Sequence, residues 1–474
     1  MKKPIPLQTL IRNVLIVIIL LALILVPRPA AGYLDLAEAE ALDIGHVKFL
    51  DVAPYYALAA ERISWRPDLY EQAGSDYFNG HDYKTAIQFY SLAQQQHALS
   101  SDGWLAWGQA FFFQKDAPGA IAVWKKALKQ ENPDPYVHLY LGEGYENIGN
   151  YTGAEQEFEA FLVVYPNSYQ GHYQLGLLYA ASKPDQALPE LMRAAQLNPT
   201  QDPPVESLRS ALNTAFLSDD RAYQLVVSGQ ALGALGNWDL AAEAFLNAIS
   251  LGADYAEAWA WLGEAKQQLG QDGSADIERA IQLNPDSAMV ESLYSLYLER
   301  QKQPRQALAA MQKAAALEPQ NPGWQMALGG AFEQTDDLVS ALEYYQNATE
   351  LSPNNATFWR ALAEFSLRNN LDLAGTGLPA ARKLVELANK DWQADDIAGQ
   401  ILLDTNDPVG AEALLKKAVQ LDPSQAAPYL HLGLLYMETG DRAAAFSNLN
   451  QTKILDPDGP NGWQASRLLA QYFP

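Results

Sequence analysis

The chain has 474 residues, 49 % apolar and 19 % charged, enough to bury a core and too few charges for a disordered polymer. Four of its 32 basic residues (Lys2, Lys3, Arg12, Arg28) fall in the first 28 positions, which hold no acid, so the other 28 face 56 acids, a balance of −28. No basic surface is left to neutralise nucleic acid phosphates, and the lack of cysteine excludes disulfides, thiolate zinc sites, iron–sulfur clusters and cysteine nucleophiles.

Residues 14–26 are an unbroken apolar run of 13. That length suits the core of a signal peptide. Counted from Leu10 the run reaches 17, and this spans a bilayer if Arg12 snorkels to the headgroups. Residues 1–32 therefore read as a retained membrane anchor or as a signal cleaved after Ala30-Ala31-Gly32. Lys2, Lys3 and Arg12 precede the run, which keeps the N-terminus in the cytoplasm and places the rest outside.

A period of 34 then takes over. It links Gly74, Gly108, Gly142 and Gly176, then Tyr77, Phe111, Tyr145 and Tyr179, then Ala86, Ala120 and Ala154. It returns at Gly229/Gly263, Ala307/Ala341, Gly399/Gly433 and Pro423/Pro457. Each unit holds two apolar patterns of helical period split by a short turn such as Gly149-Asn150-Tyr151, which predicts an all-α chain of helical hairpins.

The residues that recur carry a resemblance. Trp104, Trp107, Gly108, Phe111, Ala120, Trp124 and Ala127 form one copy; Leu141, Gly142, Tyr145, Ala154, Phe158 and Pro166 form the next; Leu432, Gly433, Tyr436, Ala445 and Pro457 form the last. This large-small-large spacing resembles the tetratricopeptide repeat (TPR) family. The resemblance implies an α-solenoid, a right-handed superhelix of about eleven hairpins. Counting units gives a degenerate first repeat at 33–66, a block of four at 67–201 and a block of seven at 222–459. Residues 202–221 interrupt the period and read as an inserted helix, started after Pro203-Pro204. Residues 460–474 read as a capping helix, with Trp463 and Leu468 on the last repeat and Gln464 and Arg467 in water.

The count leaves no stretch large enough for a catalytic domain, so no enzyme is expected. Gly375-Thr-Gly377-Leu-Pro-Ala380 fits a dinucleotide-binding pattern but joins two predicted helices instead of following a strand, and reads as a turn. His138 and His172 occupy the same place in adjacent units, and a metal site there needs a third ligand. No cofactor and no metal are expected.

The resemblance implies that first-helix residues line a concave groove, which family members use to bind peptides. The corresponding positions hold Leu105, Gln109, Phe112 and Phe113, then Tyr136, Leu139, Tyr140, Glu143 and Asn147, then Tyr173, Gln174, Leu177 and Ala180. Such an apolar, aromatic stripe is either a docking groove or close packing inside the array. The Lys and Asn of carboxylate-gripping members are replaced by Glu71 and Ser75, which argues against that mode. Later units put Glu264, Gln267, Glu299, Glu333, Gln334, Arg360, Glu364 and Asp404 inside. With the −28 balance this favours a neutral or basic protein segment as partner. The expected function is a non-enzymatic interaction scaffold, held by a single-pass helix in the cytoplasmic membrane with its repeats outside. The alternative is an exported module, periplasmic or secreted after signal cleavage, that binds a non-protein ligand such as an envelope glycan.

Overall fold

A left-handed residue closes most of the first-to-second helix turns. His81, Lys115 and Gly149 have φ of +64°, +62° and +71°, and Lys302, Asp336 and Asn370 repeat the pattern with φ of +58°, +64° and +48°, each 34 residues after the last. In most of these turns an Asp or Asn follows where the second helix starts. Asp82, Asp116, Asn150, Asp337, Asp407 and Asp441 accept the backbone N–H three residues on at 2.9–3.1 Å. The turn thus reverses the chain and caps the next helix in three residues.

The computed structural model describes residues 15, 27–44, 48–199 and 203–473, and among these it contains 26 α-helices and no strand. The chain divides into two compact units, Met1–Leu251 and Gly252–Pro474. The apolar run of 14–26 lies outside the described residues except for Leu15, and no helix of the described residues is long and apolar enough to cross a membrane.

The first unit holds six antiparallel hairpins. They are α1 (Pro27–Ile44) with α2 (Phe49–Arg62), α3 (Asp68–Asn79) with α4 (Tyr83–Gln95), α5 (Ser101–Phe113) with α6 (Ala117–Ala127), α7 (Tyr136–Asn147) with α8 (Tyr151–Val164), α9 (Tyr169–Ser182) with α10 (Pro184–Leu197), and α12 (Arg221–Ala234) with α13 (Trp238–Leu251). The extra helix α11 (Pro203–Ala215) occupies the interruption and buries the stripe Val205, Leu208, Leu212 and Ala215. Residues 27–32, read from the sequence as leader, are the first turns of α1. Gly32 is buried against Arg62 and Ile63, and Asp35 pairs with Arg62 at 2.5 Å.

The second unit also holds six hairpins. They are α14 (Ala256–Gln268) with α15 (Ser274–Leu283), α16 (Ala288–Arg300) with α17 (Pro304–Leu317), α18 (Pro322–Gln334) with α19 (Leu338–Leu351), α20 (Ala356–Arg368) with α21 (Leu378–Leu387), α22 (Trp392–Asp404) with α23 (Pro408–Leu421), and α24 (Ala426–Thr439) with α25 (Arg442–Leu455). The cap is α26 (Pro460–Tyr472). The glycine pattern near 375 lies in a π-turn, Leu373–Gly377, between α20 and α21, where Thr376 donates its hydroxyl to Asp372 at 2.7 Å.

One contact recurs in both units. In seven hairpins a glycine of the first helix faces a large side chain of its second helix sixteen residues on: Gly74 on Tyr90, Gly108 on Trp124, Gly142 on Phe158, Gly229 on Phe245, Gly329 on Tyr345, Gly399 on Leu415 and Gly433 on Leu449; Gly176 meets Leu191, fifteen on. A Cβ at Gly229 would lie 2.5 Å from Phe245. The helices can approach this closely only where that atom is missing. At Gly263 the partner is Ile277, fourteen residues on, so this unit is two residues short at its turn.

The cap differs from expectation. Trp463 is 66 % exposed, and the face on the last hairpin carries Gly462 and Ala465, with Leu468 and Leu469 beside them. Gly462 sits against the backbone oxygen of Asp456, a contact that no side chain permits. This fixes the rotation of α26 and turns Trp463, one residue and 100° further round, outward.

Candidate functional site

The sequence places an aromatic stripe along α5, α7 and α9. The structure divides it. Leu139 and Leu177 are each 3 % exposed, and Ala180 is fully buried. Gln109 is half-buried and hydrogen-bonds Tyr140, whose ring stacks 5.9 Å from Trp124. Leu105 is half-buried, and its backbone oxygen accepts the Trp124 indole N–H at 3.2 Å. Tyr173 is half-buried and stacks on Tyr169 at 5.8 Å. Phe113 and Tyr136 stay exposed, but Phe113 stacks on Tyr83 at 5.1 Å and Tyr136 packs on Phe161 and Tyr165 at 5.3 and 5.2 Å. The stripe is therefore mostly internal packing, not an open apolar groove.

Neighbouring hairpins bury most of it, and the return of the sixth hairpin covers part of α9. Within the first unit, α12 and α13 pack against α9. Ser228 on α12 donates to the Ala180 carbonyl at 2.5 Å, and Asn247 on α13 donates to the Ala181 carbonyl at 3.0 Å. The turn between α12 and α13 reaches α5 and α7 and borders an open pocket of about 340 Å³. Phe112, Glu143, Glu146, Asn147, Asn237, Asp239 and Leu240 line it. Phe112 is the one residue of the predicted apolar set among these.

This cavity is acidic and unneutralised. Glu143, Glu146 and Asp239 form no ion pair with Lys or Arg among the described residues. Burial pushes the Glu146 carboxyl up to about 7, with Glu143 and then Asp239 adding to it. Burial also raises Glu143, and a hydrogen bond from Gln174 opposes this. Tyr151, at the start of α8, is pushed up to about 12 by burial and by Asp239, Glu243 and Glu146. Tyr151 also borders a second cavity of about 520 Å³, lined by Glu155, Glu159, Leu178, Lys183, Glu243 and Asn247 among others. There Lys183 pairs with Glu155, and Glu159 accepts the Tyr179 hydroxyl at 2.8 Å.

In the second unit the buried acids have cations. Arg300 grips Glu264 through both oxygens at 2.5 and 2.6 Å, Lys266 reaches Asp276 at 2.6 Å, Lys313 reaches Glu291 at 2.7 Å, and Arg368 grips Glu333 at 3.0 Å. Arg360 is spent on Asp391. Several charges that the sequence offers for a partner are thus used internally. The histidines are structural as well. His138 and His172 each pair with a carboxylate of their own hairpin, Glu157 and Glu190, at 2.6 Å. No group of three or more His, Cys, Asp or Glu among the described residues is placed to hold a metal.

Glu146 and Asp239 went unnoticed in the sequence. Nothing local marks them, because they lie on hairpins separated by the insert.

The family description "Tetratricopeptide repeat" matches residues 105–168, 142–204, 227–288 and 295–356, and a second model of that description matches 402–471. No curated protein matches the sequence. Solved structures similar to this chain include yeast Tom70, 15 % identical, covering 93 % of this chain and 95 % of that one at a TM-score of 0.40. Another is pilF of Pseudomonas aeruginosa, 20 % identical, covering 46 % and 99 % at 0.37. A third is YrrB, described as a TPR protein with an unusual peptide-binding site, 20 % identical, covering 40 % and 98 % at 0.33. The two family matches together span more than half of the sequence, and the chain belongs to the tetratricopeptide repeat family.

Proposed function

We propose that the protein is a non-enzymatic interaction module whose first unit receives basic side chains of a partner protein in the acidic cavities beside α13. Repeats of this family generally mediate protein–protein interaction. One observation carries the finer reading: Glu143, Glu146 and Asp239 converge on a cavity bordered by Phe112 without a cation of their own. A Lys or Arg entering there regains the Coulomb attraction that the second unit obtains internally, and its aliphatic stem packs on Phe112. The apolar run of 14–26 supports a tether in the cytoplasmic membrane with the repeats outside.

The test is titration of the protein with twelve-residue peptides carrying Lys or Arg at alternate positions, read by fluorescence anisotropy. The triple variant Glu143→Gln, Glu146→Gln, Asp239→Asn should lose about tenfold or more in affinity. Wild-type binding should weaken as salt is raised. Equal binding by the triple variant, or binding of oligosaccharides in place of peptides, would overturn the reading. Release of the protein from membranes by alkaline carbonate would overturn the tether alone.

A further inference from the structure

The first hairpin presents an aromatic edge that no other part of the described chain covers. Leu34 is 74 % exposed, Trp65 58 % and Tyr33 48 %. The Trp65 indole N–H donates to the Tyr33 hydroxyl at 3.3 Å, with ring centroids 6.5 Å apart. Helix α1 buries Gly32, Leu36 and Ala39 on one side, so Leu34 points to the opposite side.

This edge differs from the rest of the molecule in charge. Arg28, Arg62 and Arg66 balance Asp35, Glu61 and Asp68 around it, in a chain with a large excess of acid. Arg62 pairs with Asp35 and Arg66 with Asp68, while Arg28 reaches the Glu61 carbonyl at 3.2 Å. Glu40 also lies near Arg66, while Glu38, Asp43 and Asp51 lie further along the hairpin.

The edge also stands next to the apolar run. The run ends at residue 26 and α1 begins at Pro27. Leu34 lies eight positions beyond residue 26, about 12 Å at 1.5 Å per residue of helix. The headgroup layer beyond the hydrocarbon is about 5–8 Å deep on each side. A tilt of α1 by about 50° or more from the bilayer normal therefore brings Leu34, with Tyr33 and Trp65 beside it, into that layer. Tyr and Trp suit it, with apolar ring bodies and polar tips, and arginines at its border can snorkel.

We propose that the Tyr33–Leu34–Trp65 edge docks on the headgroup region of the bilayer, so that the first hairpin is a membrane-seated base for the repeats. This rests on the tethered reading given above. A lipid surface is the occupant favoured by the neighbouring apolar run and by the local charge balance.

The absence of cysteine makes the test clean. Leu34→Cys and, as a control, Val163→Cys (82 % exposed, in the fourth hairpin) are labelled with a nitrobenzoxadiazole dye in the full chain. Each is reconstituted into vesicles of phosphatidylcholine and phosphatidylglycerol, with and without lipid carrying a nitroxide near the headgroup. The dye at position 34 should be quenched at least twofold by the nitroxide and the dye at 163 should not. Equal behaviour at both sites in vesicles that retain the protein through alkaline carbonate would overturn the docking and leave the tether standing. Loss of the protein in carbonate would overturn both. Concentration-dependent self-quenching at position 34 without lipid would overturn the docking in favour of a second copy of the chain.

Discussion

Ser228 supplies Ala180 with the hydrogen bond that Pro184 withholds. In a continuing helix the Ala180 carbonyl would accept the N–H of residue 184, but proline has none. The Ser228 hydroxyl, fully buried on α12, takes that place at 2.5 Å. The return of the sixth hairpin across α9 thus rests on an unsatisfied carbonyl. Replacing Ser228 by Ala should cost about 1–3 kcal/mol, the range for an orphaned buried acceptor. Urea denaturation followed by circular dichroism measures it. A loss below about 0.5 kcal/mol would show that the contact does not hold the hairpin.

Gly142 faces Phe158 inside its hairpin with no room for a methyl group. Gly142→Ala should lower stability by about 1–3 kcal/mol through overpacking, despite the better helix propensity of alanine. Gly330, on a first helix too, meets a Cβ only at 3.5 Å from the Tyr345 hydroxyl. Gly330→Ala should therefore be neutral or stabilising by a few tenths of a kcal/mol. Thermal denaturation of the two variants side by side checks the contrast.

The raised Glu146 carboxyl has a pH signature. Its proton is held to about 7 in the folded protein and released near 4.5 in the unfolded chain. The folded state therefore gains relative stability below about pH 4.5 and loses it as pH rises through about 7, with no further change above. The shift corresponds to a difference on the order of 3 kcal/mol. Glu146→Gln stays neutral throughout and should be more stable than wild type at pH 8 by that order, with little difference at pH 4.5. Asp76, raised to about 6 by burial and by Asp43, slopes the same way in both proteins and cancels from the comparison. Parallel pH profiles for the two would mean that the Glu146 carboxylate is solvated.

Arg300 and Glu264 test the second unit. Glu264 is 3 % exposed, so removing its cation strands a buried charge. Arg300→Met alone should cost about 3–5 kcal/mol, whereas Arg300→Met with Glu264→Gln should recover much of that. A double-mutant cycle by urea denaturation reads the coupling. Additive losses would show that the two side chains do not depend on each other.

The repeating hairpin was legible because every rule that makes it is local. Gly142 and Phe158 lie sixteen residues apart on one hairpin, and the 34-residue period follows from stacking copies of that contact. The helical class and the rhythm of the hairpins were determined by this alone. Trp463 was misplaced because its outward turn depends on Gly462 fitting a backbone oxygen, which amphipathic pattern does not register.

The candidate site was decided by tertiary structure. Helix α11 breaks the period, so the direction of α12 and α13 depends on contacts such as Ser228 with Ala180 and Asn247 with Ala181, spanning 48 and 66 residues. Those contacts cover the end of α9 at Ala180 and Ala181 and bring Asp239 near Glu146. Periodicity reports which face of a helix is apolar; it does not report which distant helix will cover that face, because packing is selected by shape and hydrogen bonding between surfaces far apart in the chain.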